Sequence, residues 1–221
     1  MKVINFDDLL VSQRVNIVVL GTFNPSIINP SWLALKHIIR EEEAEYAQIE
    51  IIHSEVVQFK LKWTEISGDI NRFSFGTSLS THFDALKDLV ISIFHVLSET
   101  KIRAIGLNHI FDLNLQNKEL YNEVGSKLTN FDLFSTLSDP KMLGLEILNS
   151  ERYDDRKGYY RLRIIPTGKK GSYTADININ DHIDVSNEEI PIDVIEKAWT
   201  SSHAKATETA YSIIENLRLG Q

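Results

Sequence analysis

Residues 57–77 read VQFKLKWTEISGDINRFSFGT, and this stretch decides what kind of fold the chain adopts. Val57, Phe59, Leu61 and Trp63 alternate with Gln58, Lys60 and Lys62. A period of two sends apolar side chains to one side of a sheet and polar ones to the other, so the run is a half-buried strand. Ser67, Gly68 and Asp69 supply turn chemistry, and Phe73, Phe75 and Thr77 resume the pattern on the return. The stretch is a β-hairpin of an antiparallel sheet.

Working outward, residues 15–20 are a β-branched run ending at Gly21, and Asn24, Pro25, Asn29 and Pro30 exclude regular structure after it. Ser31 is placed to cap a helix in which Trp32, Leu35, Ile38 and Ile39 recur at helical spacing as far as Tyr46. Beyond the hairpin, Ser80 or Thr81 caps a helix whose apolar face is Phe83, Leu86, Val90, Ile93, Phe94 and Leu97. Residues 102–107 then form a strand. The order strand, helix, strand, strand, helix, strand is the split βαβ arrangement of ferredoxin-like folds, with both helices on one face.

The second half carries a short helix over 119–128 and a loop or broken helical turn over 130–140. Leu143, Leu145 and Ile147 open a strand that reaches a polar turn at Asp154, Asp155, Arg156, Lys157 and Gly158. Tyr160, Leu162 and Ile164 return, and Tyr173, Ala175, Ile177 and Ile179 form a third alternating run, which makes a three-strand meander. A long helix follows from Pro191, with Ile195, Trp199, Ser202, Ala206, Ala210, Ile213 and Leu217 on one stripe and Gly220 past its end. The expected fold is α+β: a ferredoxin-like half over 1–110 and a second α+β half over 111–221, packed together as two halves or as one continuous domain. The second half is a partial echo of the first, with no residue-level repeat behind it.

Composition narrows the chemistry. The 221 residues are 43% hydrophobic and 24% charged, which is globular and neither disordered nor fibrous. The net charge of -8 gives no general attraction to phosphate backbones or anionic membranes. There is no cysteine, so thiolate metal sites, disulfides and cysteine nucleophiles are excluded together. The first ten residues lack a positively charged leader, and the longest apolar window, 86–97, is broken by Lys87, Asp88 and His95. A cytoplasmic location is expected.

Motifs point to no reaction. Gly168-Lys169-Lys170-Gly171-Ser172 lacks the phosphate-loop spacing and joins two strands, so it reads as a basic hairpin tip. Gly76-Thr77-Ser78-Leu79-Ser80 lacks the second glycine of a nucleophile elbow. Glu99-Thr100-Lys101 sits at a helix end, the wrong place for a metal-dependent nuclease. No metal site and no cofactor is assigned. Asp181, His182 and Asp184 are the densest polar cluster, placed where a strand ends; they suit a divalent ion or a proton shuttle, or the plainer task of stabilising a turn. His109, after Asn108 at the end of a central strand, is the further catalytic candidate, and His203 belongs against the core or across a dimer seam. His53 reads as a partly buried tether. Trp63, Phe73, Phe75 and Tyr160 invite base stacking but are explained more simply as core. The strip Arg152, Arg156, Lys157, Arg161, Arg163, Lys169 and Lys170 is local positive charge for an acidic protein partner or for nucleic acid, the less favoured of the two.

Several phrases resemble a bacterial family known as hypothetical proteins: Leu20-Gly21-Thr22-Phe23-Asn24-Pro25 leading to Pro30-Ser31-Trp32, Glu43-Ala44-Glu45, Ile51-Ile52-His53, His82 through Asp88-Leu89-Val90, Ala104-Ile105-Gly106-Leu107-Asn108, and Asn180-Asp181-His182. The order and the terminal helix are similar to a wider, sporadically distributed bacterial family of unknown function. The resemblance spans about residues 16–217 and implies an accessory or regulatory role near mobile elements or phage-defence genes. It implies no activity and no catalytic residues.

Three readings follow. The first is a non-enzymatic binding or assembly protein that contacts protein, either an operon partner or itself as a homodimer. The second is a metal-dependent hydrolase using Asp181, His182 and Asp184, with His109 as a further member, which requires Asp181, His182 and His109 to converge in one pocket. The third is a nucleic-acid module built on the strip from Arg152 to Lys170.

Overall fold

The computed structural model describes residues 4–168 and 172–220, so Lys169 and Lys170 of the basic strip lie outside the described residues. The chain is mixed α+β. A short helix α1 (Phe6–Leu9) leads into β1 (Leu10–Gly21), then α2 (Pro30–Leu35), α3 (Glu41–Glu45), β2 (Gln48–Ile52), β3 (Val56–Lys60), β4 (Glu65–Asp69), β5 (Arg72–Thr77) and α4 (Phe83–Val96). The second part is β6 (Ile102–Asn114), α5 (Lys118–Leu128), β7 (Leu145–Asn149), β8 (Gly158–Pro166), β9 (Thr174–Asp184) and α6 (Pro191–Leu217). Among the described residues the nine strands form one antiparallel sheet in the order β2-β3-β4-β5-β1-β6-β9-β8-β7.

That order reads outward in the same way from its middle. Central strand, short helical segment, meander returning to the central strand, and long helix describe β1 through α4, and describe β6 through α6 again. The two units meet along the β1–β6 ladder, the longest strand pairing besides β6–β9. The echo expected from sequence is thus a repeat of topology. The first unit has four meander strands and the second has three. The expected division at 110/111 falls inside β6.

The sheet is larger than the alternation suggested, and three local readings are corrected. Ser67, Gly68 and Asp69 are not a turn but part of β4, which pairs with β3 and β5. The hairpin bends instead at Lys62 and Trp63, where Leu61 N–H donates to the Thr64 carbonyl. The single helix expected over 32–46 is two pieces: Asn29 caps α2 by accepting from Trp32 N–H at 3.0 Å, and His37 at φ 56° turns the chain out of the helix. Residues 102–107 are only the start of β6, so Asn108 and His109 lie in mid-strand. The helix over 118–128, the β7–β8–β9 meander and the long α6 stand where their periodicity placed them.

All helices of the core sit on one side of the sheet. Ile17, Val19, Phe73, Phe75, Ile105 and Leu107 pack with Leu86, Ile93 and Trp199 in one buried cluster. Phe111, Leu113, Ile177 and Ile179 pack with Ala206, Ala210 and Ile214 in another. Helix α6 spans both, and its Trp199 indole N–H donates to Asp84 of α4 at 2.8 Å. Side chains that alternate with these strand residues point to the opposite side, which the core helices leave uncovered. The accessible surface of 12812 Å² exceeds the about 10,300 Å² expected for a monomer of 25.3 kDa. No helix among the described residues is long and apolar enough to cross a membrane.

Candidate functional site

The period of two separates the expected catalytic cluster. Asp181 lies on the helix side of β9, and His182 and Asp184 lie on the uncovered side. His182 Nε2 is 3.3 Å from Asp184 Oδ1, and its ring stacks on Tyr159 at 4.3 Å between centroids. His109, on β6, belongs with Asp181. The requirement that Asp181, His182 and His109 meet in one pocket is therefore not met, and among the described residues no group of three His, Asp or Glu side chains could hold a metal ion.

Asp181 and His109 instead form a polar belt between the two buried apolar clusters. His109 Nε2 is 3.1 Å from Ser202 Oγ of α6, and its Nδ1 is 3.3 Å from His203 Nδ1. Arg152 has a fully buried side chain that donates to Asp181, to the His182 carbonyl at 3.2 Å and to Asp154 at 2.7 Å. The Tyr153 hydroxyl reaches Asp181 Oδ2 at 3.4 Å and Ser201 Oγ at 3.2 Å. Burial pushes the Asp181 carboxyl up, while Arg152 and Ser202 hold it down. Burial, with the neighbouring His203 adding to it, pushes His109 down to about 3, so its imidazole is neutral. His203 is lowered by burial against the opposing charge of Asp84.

Serine, histidine and aspartate are thus together, but wired wrongly for acyl transfer. A base must stand between acid and nucleophile, with the carboxylate orienting its Nδ1–H. Here Ser202 neighbours both His109 and Asp181, and Nδ1 of His109 faces another histidine. Ser202 is 0% exposed and His109 is 1% exposed, so no substrate reaches them. The belt sets how α6 docks: its polar groups must meet particular partners, which apolar packing alone does not specify.

The basic strip does not form one surface. Arg152 is interior, Arg156 pairs with Glu189 at 2.6 Å, and Arg161 and Arg163 lie near Glu146 at 3.5 and 3.7 Å. Among the described residues of the strip, Lys157 alone is exposed without an ion pair. Of the aromatic candidates, Phe73 and Phe75 are fully buried and Tyr160 lies on the helix side of β8. Trp63 differs. Its indole N–H donates to Glu43 at 3.0 Å, its ring stacks on His82, and it lines a cleft of about 1000 Å³ with Arg40, Tyr46 and Lys62. His53 is exposed in the turn after β2 and accepts from Glu55 N–H, so it tethers nothing.

The uncovered side holds what residue-by-residue reading missed. Asn16, Asn108 and Asn180 occupy one row across β1, β6 and β9, because Asn16 pairs with Asn108 and Asn108 with Asn180. Asn180 Nδ2 donates to Asn108 Oδ1 at 3.0 Å, Asn108 Nδ2 donates to the Asn16 carbonyl at 3.2 Å, and Asn16 Nδ2 donates to Ser74 Oγ at 2.8 Å. Arg161 continues the row on β8. Gly106, one row over, leaves the space this amide chain uses: a Cβ there would stand 2.9 Å from Asn180 Nδ2. Arg14 closes one flank by bonding Asp112 and, at 2.8 Å, Asp176. Buried on this face without a partner are Asn178 Oδ1 and Arg161 Nε. The signal available in the sequence was the alternation itself, which sets each asparagine on the polar side of its strand.

No protein-family model matches the chain, and no curated protein sequence matches it.

Proposed function

We propose that the protein is a non-enzymatic binding or assembly protein, and that the uncovered sheet face centred on Asn16, Asn108 and Asn180 is its contact surface for another protein. One observation carries this reading: a nine-strand sheet is left open on one side, and the middle of that side is an ordered row of primary amides. Each amide both donates and accepts, which suits the backbone and polar side chains of a protein partner. The row is held in place by its own hydrogen bonds, so little ordering remains to be done on binding. Arg14, Arg161 and Arg163 on this face are offset by Asp112, Asp176 and Glu146, a balance that favours a polar protein surface over a phosphate backbone.

A cytoplasmic accessory or regulatory role, as the bacterial family resemblance implies, completes the proposal. The ferredoxin-like description of the first half also belongs here; it is supported by the adjacency of β4, β5, β1 and β6, with α4 packed on β5 and β1.

Site-specific photo-crosslinking in the native host tests the surface. A photoreactive phenylalanine replacing Ile110, beside Asn108 on the same side of β6, is expected to capture a protein of defined mass. The same probe replacing Glu208, exposed on α6, should capture none. Equal capture at both positions, or none at Ile110, contradicts the assignment.

A further inference from the structure

Six exposed apolar side chains gather in one stretch of the second unit. Leu133, Phe134, Leu137, Leu143, Ile147 and Leu148 lie within one 16-residue segment that ends in the edge strand β7. Ile147 is 48% exposed and Leu148 is 61% exposed. No backbone hydrogen bond from the described residues reaches the outer edge of β7, whose inner edge is fully paired with β8. An edge strand of this kind is a template for another strand. The repeated topology says the same. The first unit places a fourth meander strand, β2, outside β3, and among the described residues the second unit has no strand in the corresponding place outside β7.

We infer that the outer edge of β7 pairs antiparallel with β7 of a second copy, so that two chains form one continuous sheet across a two-fold axis at Ile147. A second copy fits because the strand is complementary to itself in that register. Ile147 meets Ile147 on the helix side, and Glu146 meets Leu148 on the uncovered side. No like charges stand opposite, and each Glu146 already lies beside its own Arg161 and Arg163. The opposite edge is less suited to pairing. β2 carries a register irregularity between Ile49 and Ile51, the kind of bulge that protects an edge, and its central residue is Glu50. β7 keeps a regular register over all five residues. Pairing through one edge only gives a closed dimer and not a fibre.

This deepens the assembly reading at a surface separate from the amide row, so the two stand or fall independently. Sedimentation equilibrium of the full chain is expected to give twice the 25.3 kDa chain mass. Ile147→Lys should halve that mass with unchanged circular dichroism, and Ile51→Lys should leave it doubled. The chain has no cysteine, so Ile147→Cys offers a second readout that does not depend on the lysine variant folding. Directly opposed antiparallel residues have Cα atoms about 4.5–5.5 Å apart, within reach of a disulfide. Mild oxidation should therefore convert Ile147→Cys, and not Ile51→Cys, to a covalent dimer. A monomeric wild-type chain, a dimer unaffected by Ile147→Lys, or an Ile147→Cys chain that stays uncrosslinked overturns the inference. A monomer would leave the amide face untouched as a contact surface.

Discussion

Asn16 and Asn108 stand directly opposite one another where the two repeated units join, and Asn108 donates its amide hydrogen to the Asn16 backbone carbonyl. The join is therefore polar on the uncovered side and apolar on the other, where Ile17 and Leu107 face each other in the core. A sheet built this way packs its core on one face and leaves the other uncovered.

Gly106 tests whether the amide row is a single device. In Gly106→Ala the new methyl would stand 2.9 Å from Asn180 Nδ2, so Asn180 must move and its bond to Asn108 must lengthen. Asn180 Nδ2 is the end of a side chain and can yield, so the cost falls at the low end of overpacking, about 1 kcal/mol. Urea unfolding should register that loss, and crosslinking through position 110 should fall with it. A variant with unchanged stability and unchanged crosslinking would mean the row is not coupled.

His109 makes stability depend on pH. Its folded pKa of about 3 lies below the ordinary value of 6.5, so below pH 6.5 the unfolded chain takes up a proton that the folded chain refuses. Stability therefore falls as pH drops from 6.5 toward 3, by about 1.4 kcal/mol per pH unit at the steepest. His203 and His182, both lowered by burial, act in the same direction. Urea midpoints at pH 7 and pH 5 should differ in the wild-type chain and differ less in His109→Gln. Equal slopes in the two chains would contradict the burial of a neutral imidazole.

Arg152 and Asp181 form a buried ion pair between fully buried side chains. Asp181→Leu alone leaves Arg152 inside with only Asp154 to balance it, at a cost of about 3–5 kcal/mol. Pairing that change with Arg152→Met removes both charges and should recover most of the loss. A double-mutant cycle on unfolding free energy measures this; additive losses would mean the two side chains do not interact.

Much of this was legible from periodicity alone. Tyr160, Leu162 and Ile164, then Ala175, Ile177 and Ile179, announce strands because one face is buried, and the stripe through Trp199, Ser202 and Ala206 announces α6 for the same reason. β2 carried no such mark, since all five of its residues are exposed. Gly68 mimicked a turn, but it is glycine because the Phe73 ring lies against it, 2.5 Å from where a Cβ would be. His37 breaks the helix expected over 32–46 through backbone conformation that side-chain pattern does not encode. Alternation was enough to set Asp181 and His182 on opposite faces, and reading them as one cluster overlooked it. Which strands neighbour one another was hidden, and with it the row of Asn16, Asn108 and Asn180.

The central claim is that the uncovered face holds a protein partner. Native mass spectrometry of the chain purified gently from its own cells tests it most directly, comparing wild type with Asn108→Lys and with Glu208→Lys on the far side of the molecule. The account predicts a defined protein bound to wild type and to Glu208→Lys, and absent from Asn108→Lys while that variant remains folded. A partner retained equally by Asn108→Lys, or a wild-type chain that carries no protein at all, would contradict it.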